Sequence, residues 1–293
     1  MAPLVVTSVT SRSVKCPLCG GVAAHHLFLP HTSVWKCAAP ECSLEFAHPQ
    51  LDDSQLARAY TDFYYPPNGN GNGHCVRFEN TSDSIVHQVF QHLEKRFGTL
   101  AGLRLLDYGC GCGSVMRVCL EFGLRPTGIE SDPHARSVAA KASGAAVYEN
   151  LEDLCAEEPQ AQFDLIVLMT VIEHLRRPWD DLARMRILLR PRGFLFISTN
   201  DVRCLRARIQ RNRWEQYLNP THLYYFKRGS LARVIRNAGF PELSEWRLNI
   251  RFPHHGLLRR CLYNSTCAVK LSDGLYYLCS KSAFGETERD ASK

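Results

Sequence analysis

Residues 105–115, LLDYGCGCGSV, decide how this chain folds. A short apolar run ends in Asp107. Three glycines follow at alternate positions, Gly109, Gly111 and Gly113. Glycine lets a backbone turn tightly and approach a ligand with no Cβ in the way. In an open α/β sheet, ligands bind beyond the carboxyl ends of the strands, beside the first strand. A dinucleotide loop of the form G-x-G-x-x-G would need glycine at 114. Ser114 stands there, so a pyrophosphate ligand fits poorly.

Strand and helix patterns alternate on both sides of this loop. NTSDSIVHQVFQHLEKRF spaces Ile85, Val89, Phe90, Leu93 and Phe97 as one helical face, with Ser82 or Asp83 as N-cap. LRLLDYG reads as a strand and SVMRVCLEFG as a helix ended by Gly123. RPTGIES, AAVYE, FDLIVLMTV and FLFISTN read as further strands. PHARSVAAKASG reads as a helix between them, and PWDDLARMRILLRPRG as a helix with a stop and a turn before the last strand. This order predicts an α/β fold with an open parallel sheet and crossover helices.

The chain has 293 residues, a formal charge of +6, 45% apolar and 22% charged residues. That suits one large core with a small satellite, in an ordinary globular protein. No apolar stretch reaches the about 18 residues of a membrane span, and the first residues do not read as a secretory signal. Thirteen cysteines in such a frame fit a reducing, cytoplasmic setting with one metal site better than a disulfide scaffold.

Three more motifs stand in register with the loop: TGIESD with Glu130, FDLIVLMTVIEHL with Glu173 and His174, and LLRPRGFLFIS. Together with LLDYGCGCG they resemble the class I S-adenosylmethionine-dependent methyltransferases over roughly residues 103–245. The resemblance implies a seven-stranded, mostly parallel Rossmann-like sheet and a nucleoside ligand with a cationic sulfonium and no phosphates. It implies that Asp107, Gly109, Gly111 and Gly113 wrap the methionine part of S-adenosylmethionine, and that Glu130 holds the ribose. Leu151 and Glu152 would lie near the adenine. Met169 and Thr170 would face the methionyl end.

Upstream, CPLCG supplies Cys16 and Cys19, and KCAAPEC supplies Cys37 and Cys42. A C-x₂-C pair followed by a wider pair is a zinc-ribbon pattern. Four thiolates close a tetrahedral shell, so the expected Zn²⁺ is structural, and it would supply stability that so small a segment lacks. His25, His26 and His31 lie between the pairs and could replace one ligand. Residues 44–67, with an FAHP turn, a short helix and the aromatic YTDFYY, resemble the front end of one methyltransferase subgroup. That subgroup often serves sugar, cell-envelope or secondary-metabolite pathways. The expected division is ribbon and connecting helix at 1–65, a flexible linker at 66–78, a methyltransferase domain at 79–284 and a disordered tail at 285–293.

Residues 201–236 form a basic cap. From Arg203 to Arg236, nine Lys or Arg meet one acid, Glu215, for a local net of +8. Val202, Leu205 and Ile209 are expected to share one buried helical face. A basic cover over the cofactor's open end suits an anionic small-molecule substrate. Methyl transfer is largely a positioning task, but a hydroxyl nucleophile also needs a base. His222, in NPTHLYYF, is the first candidate and His174 the second. An alternative makes the acceptor RNA, with Trp214, Tyr217, Tyr224, Tyr225 and Phe226 stacking on bases. A third makes the chain a cofactor- or partner-binding module without turnover. Acceptor atom and oligomeric state leave no sequence signature. ELSEWRLNI and GLYYLCSK are expected as edge strands around an inserted helix in 251–272.

Overall fold

The computed structural model describes residues 14–64, 85–246 and 274–281. The linker, the helix cap at Ser82 or Asp83, the insert at 251–272 and the tail lie outside the described residues.

Four short strands open the described chain: β1 (Val14–Lys15), β2 (Val22–Phe28), β3 (Ser33–Cys37) and β4 (Glu45–His48). They form an antiparallel meander. FAHP, expected as a turn, therefore gives its first three residues to β4, which pairs along its length with β3. Helix α1 (Asp53–Tyr64) follows and carries the aromatic YTDFY.

Helix α2 (Ile85–Phe97) buries Val86, Val89, Phe90 and Leu93 on one face, as its spacing predicts. The α/β unit then runs β5 (Arg104–Tyr108), α3 (Ser114–Glu121), β6 (Arg125–Ile129), α4 (Pro133–Ser143), β7 (Val147–Tyr148), α5 (Leu151–Glu157) and β8 (Phe163–Met169). Helix α6 (Pro178–Leu188) leads into β9 (Leu189–Asn200). The cap holds α7 (Leu205–Gln210), α8 (Glu215–Leu218), β10 (Tyr224–Tyr225) and α9 (Arg228–Asn237). Strands β11 (Glu242–Glu245) and β12 (Gly274–Ser280) close the series.

The main sheet has seven strands in the order β11-β12-β9-β8-β5-β6-β7. Strands β5 to β9 are parallel, and β12 runs antiparallel to both neighbours. This is the expected α/β methyltransferase sheet. Its central strands are buried on both faces, which is why they read as continuous apolar runs. One face packs Leu105, Val167 and Phe196 against α2 and α3, with Phe90, Leu93 and Val118. The other packs Leu106, Ile166 and Ile197 against α6 and α9.

Two local expectations are corrected. The turn expected between this helix and FLFISTN is taken up into β9: the helix stops at Leu188, and Leu189 already pairs with Phe163 of β8. Pro191 explains the change, since proline ends helices and pushes the preceding residue toward extended backbone. In the cap, Cys204 and Ala207 are the buried side of α7, whereas Ile209 is exposed. They pack on Val34, Ala47 and Trp214, so the four-strand meander, not the main sheet, sets the helix's inner face.

The meander also gains a fifth strand from the cap. β10 pairs antiparallel with β4, Tyr224 opposite Phe46 and Tyr225 opposite Glu45. One apolar cluster accordingly runs from Cys16, Cys42 and Leu44 through Tyr224 and Phe226 to Leu106 and Ile166.

Gly128, in the middle of β6, is held by packing. A Cβ there would lie 2.8 Å from Cys110 Sγ and 2.9 Å from Met116 Sδ. Gly128→Ala should overpack the underside of the glycine loop and cost about 1–3 kcal/mol, read as a lower urea midpoint with an unchanged m-value.

Candidate active site

Strands β5 and β6 deliver two carboxylates to their carboxyl ends. Asp107 is 1% exposed, and its Oδ2 has no hydrogen-bond partner among the described residues. Burial first, and the nearby Glu130 charge second, push its carboxyl up to about 8. Glu130 is also buried. Its Oε2 accepts from Gly111 N at 2.9 Å and its Oε1 from Asp132 N at 2.8 Å. Burial raises its carboxyl above the usual range, and these two backbone donors oppose the shift. Each carboxylate oxygen keeps a second lone pair for a ligand.

The loop between them follows from its glycines. Gly109 N and Cys110 N both donate to Ile129 O, at 2.8 and 2.9 Å. This double bond to one carbonyl folds the loop back over β6. At Gly109, φ is +75°, and a Cβ would sit 2.6 Å from Val171 Cγ2. Gly113 caps α3 at φ +82°. Cys110 packs on Met116 and Ala139, the role expected for the loop cysteines, whereas Cys112 is disulfide-bonded.

Met169 and Thr170 end β8 beside this pair. Thr170 adopts φ +54°. Its N donates to Ser198 O at 3.0 Å and its Oγ1 to Met169 O at 2.7 Å. Ser198 Oγ lies 3.5 Å from Met169 Sδ. Leu151 and Glu152 open α5 past β7. Leu151 is buried, while Glu152 turns outward to Arg184 at 2.6 Å. Asp107, Glu130, Met169 and Thr170 thus share the carboxyl ends of three adjacent strands, and Glu152 stands apart from them.

The chain next makes a tight turn at Ile172–His174. Glu173 is buried, with Oε2 accepting from Thr199 Oγ1 at 2.8 Å and Oε1 unpartnered. Burial pushes its carboxyl up to about 7. His174 Nδ1 lies 3.0 Å from Thr221 O and 3.1 Å from Thr221 Oγ1. A carbonyl only accepts, so the proton is assigned to Nδ1 and the lone pair to Nε2. Burial pulls this imidazole down to about 4, which keeps it neutral.

His222 is held on both sides. Its Nδ1 donates to Gln216 O at 2.9 Å, and its Nε2 accepts from Asn219 Nδ2 at 3.1 Å. Burial, then the neighbouring His174, hold it well below the ordinary histidine value. The two imidazoles meet edge to face, centroids 4.6 Å apart. Tyr60 and Tyr64 of α1 cover His174, at 5.4 and 6.1 Å. Three of these neighbours, Tyr64 in YTDFYY and Asn219 and Thr221 in NPTHLYYF, have no role that their motifs assign. Only the fold joins them to His174.

In the meander, the sulfurs of Cys16, Cys19, Cys37 and Cys42 all lie within 4.8 Å of one another. Cys16 and Cys42 are 3.7 Å apart, Cys19 and Cys37 3.5 Å. Those gaps exceed a disulfide bond of about 2.05 Å. They match the about 3.8 Å edge of a tetrahedron with Zn–S bonds of about 2.3 Å. Burial pushes the Cys16 thiol up to about 11 and also raises Cys42, whereas at Cys19 the hydrogen bonds from Gly21 and the neighbouring cysteines outweigh burial and lower the thiol. His25 instead packs against Phe28, centroids 3.9 Å apart, and meets Trp35 edge to face at 5.8 Å, and His26 lies 3.9 Å from Glu45.

The family model described as "Methyltransferase domain" matches residues 77–245. A ubiquinone biosynthesis O-methyltransferase of Xanthomonas euvesicatoria pv. vesicatoria is 34% identical over 152 residues, covering 48% of this chain and 63% of that protein. A second, from Rhodopseudomonas palustris strain BisA53, is 26% identical over 182 residues, covering 55% of this chain and 71% of that protein. The chain thus spans less than two thirds of the first of these relatives. Among solved structures, the plantazolicin methyltransferase BamL superposes with a TM-score of 0.54 at 16% identity, covering 78% of this chain and 96% of that one. Phosphoethanolamine N-methyltransferase 2 of Haemonchus contortus, in complex with S-adenosyl-L-methionine, gives 0.54 at 16% identity, covering 82% and 62%. At that identity these two speak for the fold alone. The family model covers more than half of the chain, so the chain belongs to the methyltransferase-domain family, the class I S-adenosylmethionine-dependent methyltransferases.

Proposed function

We propose that this chain transfers a methyl group from S-adenosylmethionine to a hydroxyl of a small-molecule acceptor, a sugar, nucleotide-sugar or secondary-metabolite intermediate. The observation that carries the reading is the unpartnered, buried Asp107 oxygen beside buried Glu130. Two buried carboxylates are costly unless a cation or hydrogen-bond donors reach them. A ligand with an ammonium, a sulfonium and two ribose hydroxyls meets that need. S-adenosylmethionine, when bound, supplies the electrophilic methyl.

In this reading Asp107, Gly109, Gly111 and Gly113 surround the methionine part, and Glu130 takes the ribose hydroxyls. Leu151 covers the adenine, with Glu152 at its edge. Met169 and Thr170 line the methyl end. His174 suits the base better than His222, because Asn219 already occupies the His222 lone pair. The relatives named as O-methyltransferases favour a hydroxyl acceptor. Arg203, Arg208, Arg211 and Arg213 are exposed on the cap and favour an anionic one. The four cysteines hold a structural Zn²⁺.

The RNA alternative finds less support. Trp214, Tyr217, Tyr224, Tyr225 and Phe226 are all buried, which leaves no face for a base. Among the described residues, no helix is long and apolar enough to cross a membrane.

Purified protein with methyl-labelled cofactor and fractionated extract should place label in the small-molecule pool; label in the RNA pool alone would overturn the reading. Glu130→Ala should weaken cofactor binding at least about 10-fold by calorimetry, since a charged hydrogen-bond partner is worth about 1.5–3 kcal/mol. His174→Ala should lower kcat on the order of 100-fold with cofactor affinity unchanged; an unaltered kcat removes it as base.

Glu173 gives a pH test without cofactor. Its native value of about 7 lies above the ordinary 4.5, so the native state favours the protonated form. Its contribution to stability is full below about 4.5 and is lost as pH rises through about 7. Glu173→Gln keeps an acceptor for Thr199 and removes the titration. Relative to wild type it should gain on the order of 3 kcal/mol between pH 4 and pH 8, read from urea midpoints.

A further inference from the structure

Hydrogen bonds, joined at one point by the chain itself between Tyr217 and Gln216, lead from the cysteine ribbon to the candidate base. Glu45 of β4, three residues past Cys42, is buried and accepts from Tyr217 Oη at 2.9 Å and Lys36 Nζ at 2.6 Å. Tyr217 lies in α8, next to Gln216, whose carbonyl accepts a hydrogen bond from His222 Nδ1 at 2.9 Å. Asn219 donates to His222 Nε2 at 3.1 Å and to Tyr64 Oη at 2.9 Å. Its Oδ1 accepts from Thr221 N at 3.0 Å and Thr221 Oγ1 at 2.8 Å. Both Thr221 oxygens face His174 Nδ1. Every donor and acceptor of the Asn219 amide is used, so its neighbours have one arrangement.

A second link runs through the backbone. Ala47 N donates to Leu223 O at 2.9 Å, and Leu223 N donates to Glu173 O at 2.9 Å. Lys227 Nζ donates to Ser43 Oγ at 2.6 Å, beside Cys42. The ribbon therefore touches both residues of the Glu173–His174 pair through one intervening segment, 214–227. The glycine loop, Asp107 and Glu130 receive none of these bonds.

We propose that the metal-loaded ribbon is the positioning element of the acceptor half of the site, and that Glu45 is the positioning residue which transmits it. Metal in the four cysteines fixes β4. β4 fixes segment 214–227, and that segment sets the orientation of His174. The cofactor half stands without it. This inference rests on the methyltransferase and zinc readings above.

The test measures metal content, cofactor affinity and amide hydrogen exchange on the full chain. Wild-type protein should hold one zinc per chain. A chelator should raise exchange at 214–227 at least 10-fold and leave cofactor affinity within 3-fold. Unchanged protection at 214–227 after metal loss would overturn the coupling. Tyr217→Phe cuts the link and leaves the four cysteines unchanged. It should retain zinc and cofactor affinity, raise exchange at 216–223, and lower kcat more than it changes KM. Glu45→Gln, which keeps an acceptor for Tyr217, should restore most of what Glu45→Ala loses. Tyr217→Phe with wild-type exchange and kcat would remove Glu45 as a positioning residue. A wild-type chain that binds no cofactor fails the methyltransferase reading, and one that holds no zinc fails the zinc reading. The exchange of Tyr217→Phe still judges the coupling in either case.

Discussion

Burial of two carboxylates at neighbouring strand ends is the constraint around which the rest of this molecule is arranged. Asp107 and Glu130 sit where β5 and β6 stop, and neither is open to water. Charge in such a place is tolerated only with donors close by. Glu130 obtains two from the backbone, and this requires the loop to bend so that Gly111 N points at it. The bend in turn needs Gly109, where a side chain would run into Val171. Val171 begins the turn that carries Glu173 and His174. The acidic pair, the glycine spacing and the Glu-His turn are thus one packed unit.

That unit explains how much the sequence could disclose. Strands β5 to β9 were legible because a parallel sheet buried on both faces writes itself as uninterrupted apolar runs. The cofactor half was legible because its requirements are local: an acid at a strand end, glycines within six residues of it, a second acid after the next strand. The acceptor half was far less so. Asn219, Thr221 and Tyr64 are ordinary polar residues whose meaning arises only when α1 and the cap converge on His174. His222 stood out as a titratable side chain. Its environment, with both nitrogens already engaged, is set by residues three and six positions earlier in the chain. The inner face of α7 was misread for a related reason. Helical periodicity says which residues share a side, but not which neighbour supplies the core.

The cap's charge illustrates the same limit. A local excess of +8 suggests a surface for polyanions. The structure divides these residues by role. Arg228 is committed to Asp201 and Glu245, at 2.9 and 2.8 Å. Arg206 meets Glu215 at 3.1 Å. Of the aromatic residues interleaved with them, Trp214, Tyr217 and Tyr225 pack with the cap helix on the meander, and Tyr224 and Phe226 join the cluster that reaches the main sheet. Composition counts these charges together, whereas tertiary contacts separate structural cations from those left facing solvent.

The two-residue strand β10 bears on how the chain is made. It pairs Tyr225 with Glu45, positions 180 residues apart in sequence. A ribosome adding about 5–20 residues per second reaches the second partner roughly 10–40 seconds after the first. Through that interval β4 has an open edge, and the apolar side of the meander has nothing to pack on. Metal bound early by the four cysteines would hold the meander in shape until its last strand is synthesised. In that light the ribbon is completed only long after its first four strands are made.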